Sequence, residues 1–267
     1  MRNLTKRLKE AKNTILEDLY DAARSRSFVR RLQLSSQQER ILRQLQENGV
    51  ALVKDFYPRE QCEFLKEKLE GYLKEAQGDK DFESGAYLRY YDFMDYDQGV
   101  RRIHHVEKEI PELVEFRHNK FVLDIASAYF GKPMFSQILI SQHNVVTNGT
   151  NRYHHVDQFG KQFKSFLYLE DVDLNKGPFT YILGSHRNHY IRLKKQIIGN
   201  KIGSPTSFYE EDVKNILNRE TAFCGSAGSL LLADVRGIHR GMPQKTSSRS
   251  ILMNYIYPTP GDRFPDK

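Results

Sequence analysis

A chain of 267 residues with 39% hydrophobic and 12% aromatic content can bury a sizeable core and is not a disordered segment. No stretch approaches the roughly 18 consecutive apolar residues of a membrane span, so a transmembrane segment is not expected. The N-terminal MRNLTKRLKEAKN lacks the apolar stretch of a secretory signal, and two cysteines, Cys62 and Cys224, are too few for a disulfide framework. A reducing cytoplasm is the expected setting. The net charge is +7, of which residues 1–35 carry +5 from nine Lys/Arg against four Asp/Glu. That segment could meet an acidic partner. It reads rather as a solvated helix face, because neither an aromatic-rich basic strand nor a GxxG clamp accompanies it, and nucleic acid is not the expected partner.

Leu4, Leu8, Ile15, Leu16 and Leu19 recur near helical spacing in residues 3–24. Ser35 or Ser36 then caps a helix that runs to Glu47 and stops at Asn48-Gly49. Residues 50–56 (VALVKDF) read as a short strand. Pro58 opens a helix whose buried stripe is Cys62, Leu65, Leu69 and Leu73, and a further helix covers 119–130, ending at Gly131. The first half is therefore expected to be mainly helical. From residue 133 the texture changes to strands at about 134–147, 163–170, 178–183, 229–234 and 248–257, separated by Gly, Pro, Asn and Asp turn signals. Helix-like and loop-like stretches over 186–218 interrupt them. Helices followed by many strands predict an α+β chain whose strands close as a sandwich or barrel. With no Pro/Ser-rich linker to divide it, residues 36–267 read as a single domain, with helices over 36–130 and a strand core over 133–258, preceded by the basic segment 1–35.

The stretch that carries chemistry is Tyr153-His154-His155-Val156-Asp157. On an extended strand alternate residues share a face, so His155 and Asp157 project together and His154 and Val156 face away. Imidazole plus carboxylate suits a borderline divalent ion, and one further histidine completes the facial triad of non-haem iron(II) oxygenases. His239 supplies it, in GSLLLADVRGIHRG, where an apolar strand runs into a glycine-containing turn. Three coordination positions then stay open for a bidentate 2-oxo acid and O2. Ten residues on, Arg249 opens a strand and can clamp a carboxylate through two charge-assisted bonds. Arg236 and Arg240, flanking His239, are the alternatives for that role.

His155-x-Asp157, the segment Gly177-Pro178-Phe-Thr-Tyr-Ile-Leu-Gly184-Ser185-His186-Arg187, and His239 followed by Arg249 resemble the phytanoyl-CoA dioxygenase family over roughly residues 40–258. The resemblance implies a double-stranded β-helix, a cupin-like jelly-roll barrel with flanking helices, that couples oxidative decarboxylation of 2-oxoglutarate to substrate oxidation by O2. It implies His155, Asp157 and His239 as iron(II) ligands, Arg249 as the anchor of 2-oxoglutarate, Gln137 as a second co-substrate contact and Phe166 as a lining residue of that pocket. Related halogenases carry a small residue where this chain has Asp157, so hydroxylation is the expected reaction, on a small-molecule substrate, anionic or carrier-bound. His186 reads as a residue that ties its loop rather than as a ligand.

Three clusters remain. Arg101, Arg102, His104 and His105 could bind an anionic substrate but read as a solvated loop. Tyr87, Tyr90, Tyr91, Phe93 and Tyr96 could line a pocket or fill the core. Asn148-Gly-Thr150 matches a glycosylation sequon and, with no signal peptide expected, reads as a turn.

Overall fold

In the computed structural model of the chain, the residues described are 5–9, 11–13, 16, 27–76, 78–92, 98–147, 153–198 and 206–261, excepting the side chains at 189, 190, 192 and 198. Most of the helix expected at 3–24, Phe93, Tyr96 and the sequon at 148–150 lie outside them; residues 5–9 and 11–13 are helical. In chain order the elements are α1 (Ser36–Asn48), β1 (Val50–Val53), α2 (Arg59–Glu75), β2 (Lys80–Asp81), β3 (Tyr87–Tyr90), β4 (Val100–His104), α3 (Leu113–Arg117), α4 (Lys120–Phe130), β5 (Phe135–Asn144), β6 (His154–His155), β7 (Phe163–Tyr168), β8 (Phe179–Ile182), α5 (His189–Ile198), β9 (Ser207–Phe208), α6 (Glu210–Val213), β10 (Glu220–Phe223), β11 (Leu230–Asp234), β12 (His239–Gly241) and β13 (Arg249–Tyr257).

The N-terminal helices form where local chemistry dictates. Ser35 caps α1 through a reciprocal pair of bonds with Gln38, and the helix ends at Gly49 in the left-handed region, φ +83°. A Cβ at Gly49 would lie 2.3 Å from the Tyr181 hydroxyl, so this turn also sets how closely α1 approaches the barrel. Helix α4 is capped by the Asn119 side chain and stops at Gly131, φ +69°.

An eight-stranded sheet, in the order β1-β11-β7-β13-β5-β4-β3-β2, faces a five-stranded sheet, β10-β8-β12-β6-β9, and every pairing is antiparallel. The fold is α+β, a jelly-roll double-stranded β-helix with its helices mostly N-terminal. Alternation along each strand sorts the side chains into two layers. Leu139, Phe163, Leu167, Leu230, Leu232 and Leu252 join the cluster formed with the helices, around Leu45, Leu65, Leu69 and Ile125. Their neighbours Ile138, Ile140, Phe166, Tyr168, Leu231 and Met253 turn inwards to Phe179 and Tyr181 of the smaller sheet.

The expectation of a mainly helical first half is corrected over residues 80–104, which supply β2, β3 and β4 at the edge of the large sheet. Strand β4 is held by register with β5, from Val100↔Asn144 to His104↔Ile140, a tertiary pairing that the local run of charges at Arg101-Arg102 conceals. Among the described residues no helix is long and apolar enough to cross a membrane.

Candidate metal centre

Strands β6 and β12 pair antiparallel with His155 directly opposite His239, which brings the two imidazoles to 4.5 Å between ring centroids. The Nδ1 of each ring is committed to backbone two residues upstream. His155 Nδ1–H donates to the Tyr153 carbonyl at 3.0 Å, and His239 Nδ1–H donates to the Gly237 carbonyl at 2.8 Å. This leaves both Nε2 lone pairs facing each other's side of the cavity. Phe179 and Tyr181 stack on His239, at 5.2 and 6.3 Å, and hold its ring plane. Gly237 is required by that stack, since a Cβ there would fall 1.7 Å from the Tyr181 hydroxyl.

Asp157 does not continue the strand, as alternation from His155 suggests; β6 ends at His155 and Asp157 sits in a bend, its N–H donating to the Val235 carbonyl at 3.1 Å. The bend still brings Asp157 Oδ1 to 3.7 Å from both Nε2 atoms, and the three ligand atoms lie within 4.8 Å of one another. His154 points away, to Glu220 Oε1 at 3.0 Å.

Burial, with His239 alongside, pushes the His155 imidazole down to about 4, so it presents a lone pair and not a proton. Burial alone would raise the Asp157 carboxyl, but Lys164, His239 and His155 outweigh it and hold it well below the usual carboxylate range. Lys164 Nζ stands 2.6 Å from Asp157 Oδ2 and 3.8 Å over the ring centre of Tyr255. Burial opposes its charge, and Asp157 and Tyr255 more than restore it. Two imidazole nitrogens and one carboxylate oxygen on one side of a cavity are the donor set of a borderline divalent metal with open positions.

The cavity in front of these groups measures about 290 Å³, and Arg249, Phe166, Lys164, Gln142 and Arg102 stand on its walls with the triad. The three candidate arginines separate by what they already hold. Arg236 grips the buried Asp234 at 2.8 Å, and Arg240 pairs with Glu220 at 3.0 Å. Arg249 is 3% exposed; its Nη1 donates to the Gly177 carbonyl, its Nε is buried without a partner, and among the described residues no carboxylate pairs with it. A buried guanidinium in that condition fits an incoming carboxylate.

Gln137 is not brought to the cavity. It stands where the register of β5 with β13 shifts, and its amide donates to the Thr259 carbonyl and hydroxyl at 2.6 and 3.0 Å. Gln142, on the side of β5 that carries Ile138 and Ile140, reaches the cavity and accepts from Arg102 Nε at 2.7 Å. The supposed solvated loop is instead strand β4 (Val100–His104), with Arg102 on the cavity wall and His104 and the following His105 buried. Tyr87 stacks on His104 at 4.5 Å, and the Tyr91 hydroxyl bonds its Nε2. His186 reaches back to the Gln46 carbonyl of α1 at 3.3 Å, tying its loop. The sequence alone does not point to Lys164 or Gln142, and it offers Arg102 only as one of a basic cluster that could bind an anionic substrate. The parity of Phe166 on the same strand was the available sign that Lys164 also faces inwards.

The sequence matches the model of the phytanoyl-CoA dioxygenase (PhyH) family over residues 45–251. The chain belongs to the phytanoyl-CoA dioxygenase family. No curated protein sequence matches it. Among solved structures it resembles EctD from S. alaskensis with bound Fe, at 16% identity and TM-score 0.62 over 84% of this chain and 76% of that one. It also resembles the epimerase SnoN in complex with Fe3+, alpha-ketoglutarate and nogalamycin RO, at 14% identity and TM-score 0.59 over 83% and 84% of the two chains. HygX from Streptomyces hygroscopicus with nickel and 2-oxoglutarate bound follows, at 15% and 0.57 over 85% and 88%. At these identities the likeness concerns the jelly-roll fold of the family.

Proposed function

We propose that this member of the phytanoyl-CoA dioxygenase family is an iron(II)- and 2-oxoglutarate-dependent dioxygenase that hydroxylates a small-molecule substrate, with residues 36–267 acting as one oxygenase domain. The observation that carries the reading is that a single cavity holds both the His155/Asp157/His239 cluster and a buried arginine that no carboxylate among the described residues pairs with. His155, Asp157 and His239 would hold the metal, and Arg249 the distal carboxylate of 2-oxoglutarate. Iron(II) with 2-oxoglutarate supplies the oxidising chemistry, with O2 as oxidant and succinate and CO2 as co-products. The relatives in this fold crystallised with iron, or with nickel and 2-oxoglutarate, support that assignment.

The protein's own contribution is to fix and to exclude. The Tyr153 and Gly237 carbonyls hold the two imidazoles with Nε2 inwards, and Phe166, Tyr168, Phe179 and Ile251 give the cavity an apolar wall. Asp157 supports hydroxylation over halogenation, because it fills the position that must be small for a halide to reach the metal. A cavity of about 290 Å³ is at the lower end for ligand sites, which span roughly 300–1,000 Å³, and favours a small substrate or the end of a longer one. Arg102 on its wall favours an anionic group on that substrate.

Anaerobic titration of the purified chain with iron(II) and then 2-oxoglutarate is the direct test. A weak visible metal-to-ligand charge-transfer band is expected, and its absence from folded protein saturated with both would overturn the assignment. Screening anionic small molecules for substrate-dependent succinate release then identifies the substrate class.

A further inference from the structure

We propose that Lys164 is a positioning residue that keeps Asp157 bound to the metal through one oxygen, and that it does so at a cost in metal affinity. The proposal rests on the metal reading above and extends it to a side chain outside the ligand set.

The two oxygens of Asp157 have different surroundings. Oδ1 lies 3.7 Å from each histidine Nε2, whereas Oδ2 lies 2.6 Å from the Lys164 ammonium. Held in this way, the carboxylate offers a cation one oxygen. Released, it could turn and offer both, taking up one of the positions that a chelating 2-oxo acid and O2 need.

Lys164 is itself firmly placed. It lies on β7, between β11 and β13 in the large sheet, with its side chain only 7% exposed. Its cross-strand partner in register is Tyr255, whose ring lies under the ammonium at 3.8 Å. A lysine on the inward face of a central strand is costly unless its charge is matched, and Asp157 is the carboxylate that matches it.

The sign of the effect on metal binding follows from charge. The ammonium neutralises the carboxylate that should attract the dication, and it repels the dication directly. With an effective dielectric constant of about 20, charges about 4 Å apart interact by several times the thermal energy. Electrostatic relief therefore outweighs the looser carboxylate, and removing Lys164 tightens metal binding while it disturbs the co-substrate. A lysine that merely filled space would give no such tightening.

The test uses the full chain, stripped of metal by chelation and titrated anaerobically with iron(II) and then with 2-oxoglutarate. Wild type, Lys164→Met, Lys164→Gln and Lys164→Arg are compared, with folding checked by circular dichroism. Lys164→Met is expected to bind iron(II) at least about tenfold more tightly, about 1.4 kcal/mol, to bind 2-oxoglutarate at least about tenfold more weakly, and to show a shifted or weakened charge-transfer band. Lys164→Gln should share the tighter iron binding and keep near-wild-type 2-oxoglutarate affinity, since its amide can still donate to Oδ2. Lys164→Arg should restore wild-type behaviour in both. Folded Met and Gln variants that bind iron(II) no more tightly than wild type would overturn the proposal. If the Met variant does not fold, the Gln variant decides the point alone. Wild type that binds no iron(II) would instead overturn the metal reading, and the role of Lys164 with it.

Discussion

The two faces of the large sheet are built from the same strands and do opposite work. On the helix-covered face Phe163 and Leu167 of β7 and Leu252 and Ile256 of β13 join one apolar cluster with residues of α1, α2 and α4, with Ser165 and Asn254 paired among them. One residue along, the inward face carries Lys164, Phe166 and Tyr168 on β7 and Arg249, Ile251 and Met253 on β13. The fold thus keeps its stability and its chemistry on opposite sides of one backbone. On the inward face the buried charge of Lys164 is matched by Asp157. Substitutions that differ by a single step in sequence should therefore separate the two properties.

The largest effects belong to the inward face. His155→Ala, Asp157→Ala and His239→Ala are each expected to abolish iron(II) binding and turnover while the folded far-ultraviolet spectrum persists. Full activity in any of them would remove that residue from the ligand set. Arg249→Ala should leave iron affinity nearly unchanged and weaken 2-oxoglutarate by about 2–5 kcal/mol, as when one partner of a buried pair is removed. That is roughly a 30-fold to several-thousand-fold rise in Kd. Arg249→Lys keeps the charge but not the two-point fork and should fall in between. If Arg249→Ala binds 2-oxoglutarate as wild type does, the anchor lies elsewhere.

The helix-covered face should answer with the other observable. Leu252 is fully buried, and Leu252→Ala is expected to lower unfolding free energy by about 2–5 kcal/mol through lost contact and a residual cavity. Its neighbour Ile251 lines the site. The folded Leu252 variant should nevertheless bind iron(II) and 2-oxoglutarate with wild-type constants, measured well below its lowered Tm. A tenfold loss of 2-oxoglutarate affinity there would mean that the two faces are coupled.

A smaller effect is expected within the HxD motif itself. His154 turns from the metal site to Glu220, which also accepts from Thr180 at 2.7 Å and from Arg240. Because Glu220 keeps those partners, His154→Ala should cost about 1 kcal/mol of stability and retain iron. Loss of iron in this variant, with the fold intact, would show that the wrong histidine had been assigned.

What could be read in the sequence follows this same division. The caps of α1 and α4, the apolar strands and the His155/Asp157/His239/Arg249 set are signalled by residue type and spacing, because helix ends, alternation and ligand chemistry are local or nearly so. The edge strands β3 and β4 were not legible, since pairing with β5 and not local pattern decides them. Arg102 and Gln142 meet across that same pairing and could not be placed without it. Lys164 is concealed for a different reason. A lysine in an apolar strand reads as a surface residue until the position of Asp157 is known.

Gln137 gives the smallest and most pointed test of the division. It lies five residues before Gln142 on β5, at the shift in register with β13, and its amide goes to Thr259 whereas that of Gln142 stands at the cavity. In Gln137→Leu the donor to the Thr259 carbonyl and hydroxyl is lost, about 0.5–1.5 kcal/mol for a typical bond. The same substitution removes a buried Oε1 that has no partner, which offsets part of that loss. The net change in stability should stay within about 1 kcal/mol, and 2-oxoglutarate affinity should not move. Gln142→Leu, by contrast, removes the acceptor of Arg102 Nε on the cavity wall and should weaken binding of an anionic substrate. If Gln137→Leu instead weakened 2-oxoglutarate tenfold, the amide would have to leave Thr259 and reach the cavity when the co-substrate binds.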